Sequence, residues 1–136
     1  MDARKFLLGT IAGGIAMFIA GYVLYELLLG KFFAANVGSA TGVTRDPLMF
    51  WAIGAGCLAE AALITYVLGA RGGAGAGARV GAVVALLMAL SVDFIMYGST
   101  NTANLTATLV DPVVGAVVGA IVGAVIGVVA GKPKPA

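Results

Sequence analysis

Four stretches of this chain are long and apolar enough to cross a bilayer, at about residues 6–29, 47–69, 80–98 and 112–131. A hydrocarbon core needs about 20 helical residues. The first three stretches carry one acidic side chain apiece and the fourth carries none. None has a polar stripe at helical period, as a helix lying on a water-facing surface would. Charged residues make up 10% of the chain, against roughly a quarter in a soluble domain. The sequence therefore predicts one all-α integral membrane domain over residues 1–136, a four-helix up-down-up-down bundle. The first stretch exceeds the apolar run of a cleaved signal peptide and lacks a small-x-small cleavage site, so it counts as a span.

Loop charge predicts the direction of insertion. Arg4, Lys5, Arg71, Arg79, Lys132 and Lys134 fall on one side, Lys31 and Arg45 on the other. The positive-inside rule then puts both termini in the cytoplasm, with a bacterial inner membrane the expected location. The Ala/Gly linker at 70–78 reads as a flexible turn, and the tail lysines as contacts for anionic headgroups.

Gly115, Gly119, Gly123, Gly127 and Gly131 recur every fourth residue along span four. Such a row lets helix backbones approach closely, the usual basis of association inside lipid, and predicts glycine-zipper packing on this helix. Gly9, Gly13 and Gly21 form a shorter version in span one, and Gly81, Ala85 and Ala89 lead toward Asp93 in span three. The row can pack span four inside its own bundle or against another chain. Small faces on several helices favour a homo-oligomer or a subunit of a larger membrane complex.

The acids divide by depth. Asp46 and Asp111 each precede a proline ahead of an apolar run, the signature of a helix N-cap followed by a preorganised first residue. Glu26 lies near the end of span one beside Tyr22 and Tyr25, as an interfacial anchor within an aromatic belt would. Glu60 and Asp93 lie deeper, where a charge costs at least ~2.5–3.5 kcal/mol. No lysine or arginine occurs within the spans at their depth. Each must face the bundle interior, be protonated, or meet a cation or water. A protonated carboxyl bonded to Thr65, Ser91, Tyr66 or a backbone carbonyl satisfies that requirement, as does a proton or cation site, or a partner protein. The polar run 99–104 outside Asp93 is either a wet vestibule or a plain loop.

The chain has no histidine and a single cysteine, Cys57. Histidine-ligated haem, histidine zinc sites, Ser-His-Asp catalysis and iron–sulfur clusters are thereby excluded. The glycines do not follow the strand–loop–helix order of a phosphate-binding loop. No enzyme activity, cofactor, metal site or nucleic-acid partner is expected. The leading expectation is a non-enzymatic assembly or accessory subunit working through its small-residue faces. The alternative is a small homo-oligomeric proton- or cation-coupled transporter or channel using Glu60 and Asp93, with Glu26 a further candidate.

The segment Gly21-Tyr-Val-Leu-Tyr25-Glu-Leu-Leu-Leu-Gly30-Lys31-Phe-Phe33 resembles the signature of a family of uncharacterised small bacterial four-span proteins. There an aromatic pair ends the first helix and Phe-Gly-Lys-x-Trp follows. Leu29 stands here in place of that Phe, Phe33 in place of the Trp, and Glu26 where a small polar residue is usual. The resemblance implies the four-span plan and no particular activity.

Overall fold

The structure, a computed structural model, describes residues 1–131. It is all-helical there apart from loops and one isolated bridge between Val37 and Ala103. Helix α1 (Ala3–Gly21) continues without a break into a π-helical segment (Tyr22–Leu28), followed by the short α2 (Gly30–Ala35). Then come α3 (Phe50–Leu68), α4 (Ala74–Ser99) and α5 (Leu105–Ala130). Four helical stretches are long and apolar enough to span a membrane: Ala3–Leu28, Phe50–Leu68, Ala74–Ser99 and Leu105–Ala130. Large side chains such as Ile15, Leu87, Ile95 and Val113 are exposed along them, as suits a surface facing lipid.

Two helices start earlier than expected, and both differences have local causes. The 70–78 linker is mostly helix: Gly73, at φ +93°, makes the turn and α4 begins at Ala74. Alanine in this run favours helix, and Gly77 is needed where α4 meets α5. Helix α5 starts at Leu105, so Asp111 and Pro112 lie inside it. Its cap is Asn104, whose Oδ1 accepts from the Ala107 amide at 2.9 Å. Asp111 is therefore not an N-cap. Asp46 is not one either, because α3 begins at Phe50 after Met49. Among the acids it is Asp2 that caps a helix, accepting from the Lys5 amide at 2.8 Å. Lys132 and Lys134, expected at the headgroups, lie outside the described residues.

The most extensive pairing is α4 with α5, and it runs through glycine. A methyl group added at Gly77 would strike the Gly123 carbonyl, and one at Gly81 the Gly119 carbonyl; additions at Gly123 and Gly127 would strike Gly77 and Gly73 in turn. The pairs run in opposite order along the two helices. Helix α1 packs on α3 and α5 with its glycines against side chains, Gly9 beside Thr65 and Gly13 beside Ile126 and Ala61. By contrast, α3 and α4 meet over a short stretch only.

The solid core occupies one half of the molecule. Met17, Ala61, Ile64, Leu68, Val122 and Ile126 form it, with Ala61, Ile64, Val122 and Ile126 at 0% exposure. Toward the end that carries the 36–49 loop, packing loosens and two cavities open. All of the intramembrane acids line that half.

Candidate functional site

The inner wall of the smaller cavity is a pair of carboxyls. Asp93 of α4 and Asp111 of α5 face one another there, with Thr102, Thr108 and Phe33 around them, in a space of about 240 Å³. The antiparallel run of close helix contacts sets this meeting. Ala85 and Ala89 abut Gly119 and Gly115, and one more turn along each helix brings Asp93 opposite Asp111. Asp93 Oδ2 is buried with no hydrogen-bond partner among the described residues. The two carboxyls share this cavity with no lysine or arginine in its lining.

Pro112 adds to the polarity of this spot. It has no amide hydrogen, so the Thr108 carbonyl loses its donor from within the helix. The Thr108 side chain, 2% exposed, donates to the Asn104 carbonyl at 2.9 Å.

Two asparagines tie together the loops that follow α2 and α4. Asn104 Nδ2 donates to Asn36 Oδ1 at 3.0 Å, and the Ala40 amide donates to the Asn101 carbonyl at 2.9 Å. These bonds fasten the 36–40 loop to the 101–104 loop above the acids. The Thr100 and Thr102 hydroxyls bond each other at 2.9 Å in the same place. Of the run expected to be vestibule or loop, Thr102 reaches the cavity beside Asp93, while Ser99 turns back on its own helix to bond the Ile95 carbonyl.

Tyr25 stands between the two cavities. Its hydroxyl is directed at Asp111 and lies near Gly115, and its ring packs on Phe33 with centroids 5.4 Å apart. The π-helical segment produces this placement. The Leu29 amide reaches the Leu24 carbonyl, five residues back, at 2.9 Å, so the helix is wider here than on either side. Single π turns of this kind occur often at functional sites. Tyr25 is thus part of the interior rather than of an aromatic belt, whereas Tyr22 is exposed.

The larger cavity, about 390 Å³, lies between α1 with its π segment and α3, backed by α5. Glu60, Met17 and Val118 line its inner end, and Glu26 and Leu48 lie toward its mouth. Glu60 has none of the bonding partners expected for it. Thr65 bonds the Ala61 carbonyl of its own helix at 2.7 Å, and Tyr66 is 73% exposed. Ser91 is likewise exposed on α4. Among the described residues no group of three acidic or cysteine side chains converges as a metal site would require.

The structure therefore brings Asp93 to Asp111, places Tyr25 near Asp111 and in the lining of the cavity that holds Glu60, and leaves Glu26 exposed at that cavity's edge. Gly119, Gly123 and Gly127 are buried against α4, and Gly9 and Gly13 against α3 and α5. Gly131 meets Arg71 and Gly72, Gly115 lies beside Ala89, and Gly21 faces open space. No family model, curated protein or solved structure matches the chain, so the likeness at the end of the first span carries no assignment.

Proposed function

We propose that this protein moves protons within the membrane, with the Asp93–Asp111 pair as the protonation site and Tyr25 as the link to Glu60. The observation that carries this reading is the juxtaposition of two carboxyls inside apolar spans, one of them with a buried oxygen lacking any partner. A buried ionisable group in a membrane helix is costly and is retained where it works on ions or protons. The donor set of two carboxyls, two threonines and a phenol suits proton exchange better than a divalent cation, which needs six or more oxygens. In this reading the chain is an up-down-up-down bundle in a bacterial inner membrane. Both termini are cytoplasmic, and the asparagine-fastened loops cover the acids on the outer side. The glycine rows act as a zipper between neighbouring spans of one chain, which leaves an assembly role to other surfaces.

The test is proton flux into liposomes carrying the purified protein, driven by a potassium diffusion potential and read with an internal pH dye. The wild type should exceed empty liposomes. Asp93→Asn and Asp111→Asn should fall to the empty-liposome level while eluting and melting as the wild type does. Wild-type flux that both variants retain would remove the pair from the pathway.

A further inference from the structure

The larger cavity has a composition that selects its occupant. Its walls are mainly apolar and aromatic, with Met17, Phe18, Ile53 and Val118 among them, and its volume of about 390 Å³ falls in the small-molecule range. Counting along α1 from Met17 to Glu26, it is roughly 13 Å deep at 1.5 Å per residue. Glu60 sits at the deep end with no hydrogen-bonding or basic partner among the described residues. Glu26 is near the mouth, and the Tyr22 and Tyr25 rings line the way between.

We propose that this cavity binds an amphiphilic organic cation, its apolar body against Phe18, Ile53 and Val118 and its ammonium group against Glu60. Each alternative occupant meets a physical obstacle. A lipid chain would fill the space and leave the Glu60 carboxyl unpaired among apolar walls, at a cost in desolvation. An anion would meet two carboxylates. An inorganic cation would surrender its hydration shell to walls with too few oxygens to replace it. A tertiary or quaternary ammonium carries its own apolar shell, and it gains from both the carboxylate and the tyrosine faces. The assignment supplies a substrate class for the proton-handling reading above, and its test does not depend on that reading.

Cys57 is the chain's single cysteine, lines the same cavity and precedes Glu60 by one turn, so it serves as a native reporter. The protein in nanodiscs is reacted with trimethylammonium-ethyl methanethiosulfonate and with its sulfonatoethyl counterpart, and both rates are normalised to free cysteine. The cationic reagent should react at least about tenfold faster, as expected inside a negatively charged cleft. Glu60→Gln should bring the ratio close to one, and Glu60→Asp should restore it. Benzyltrimethylammonium should protect Cys57 in the wild type and in an Asp93→Asn/Asp111→Asn double variant, whereas benzenesulfonate should not. A ratio unchanged by Glu60→Gln, or absent protection by benzyltrimethylammonium, overturns the proposal. So does a cysteine that neither reagent reaches until the protein is unfolded. Protection that survives the loss of proton flux separates this site from the proton pair.

Discussion

At the scale of single residues, the site rests on acids whose roles are set by what stands opposite them. Glu60 and Asp93 are legible in the sequence because a carboxyl deep in an apolar span has few inexpensive explanations. Asp111 is not, because aspartate before proline reads as a cap wherever the helix start is unknown; the real start lies at Leu105. Tyr25 is equally hidden, since a tyrosine near a span's end reads as interfacial until a π turn directs it at Asp111. Tyr25→Phe removes one hydroxyl from the route and leaves the ring on Phe33. It should lower proton flux well below wild type while leaving the melting temperature near that of the wild type. Flux and melting temperature on the same preparation check the two halves of this expectation. Wild-type flux in the phenylalanine variant would take Tyr25 off the path.

At the scale of elements, the apolar runs give the middles of the spans and blur their ends. Ala and Gly in 70–78, and Leu105-Thr-Ala-Thr-Leu-Val110, are compatible with both loop and helix, and close packing between α4 and α5 decides for helix. The glycine row is readable as a close-approach face, but its partner is not, because small residues on several helices offer equal matches. With the partner known, substitutions divide sharply. Gly81→Val and Gly123→Val should split α4 from α5 and lower the melting temperature steeply, since each side chain would run into facing backbone. Gly98→Ala meets nothing within 4 Å and should stabilise by roughly 0.5–1 kcal/mol through helix propensity. Thermal unfolding in one detergent compares all three, and an unchanged Gly123→Val would mean that α4 and α5 do not meet as described. Caps give a second contrast. Asn104→Ala should cost more than the roughly 1 kcal/mol of a lost N-cap, because the bond that its Nδ2 donates to Asn36 goes with it. Asp46→Ala, away from any helix start, should leave the melting temperature in place.

At the scale of the whole molecule, the buried core gathers around Ala61, Ile64, Val122 and Ile126, and the two cavities that hold the acids lie to the loop side of it, with Tyr25 between them. That asymmetry follows from where the small and large residues fall. Glycine and alanine draw the helices together near Gly13, Ala61 and Gly123, while the larger cavity at the loop end is lined by Phe18, Tyr22, Tyr25 and Phe50. No single sequence pattern announces the cavities, because they depend on three helices meeting with incomplete contact. In the proposed function, Asp93 and Asp111 hold an exchangeable proton between them. Infrared spectroscopy of the protein in lipid measures this most directly, through the carbonyl stretch of protonated carboxyls and its shift on transfer to heavy water. The expected band shifts with exchange near neutral pH, loses a component in Asp93→Asn and in Asp111→Asn, and keeps that component in Glu60→Gln. A wild-type spectrum with no protonated carboxyl, or a band indifferent to both aspartate substitutions, would contradict it.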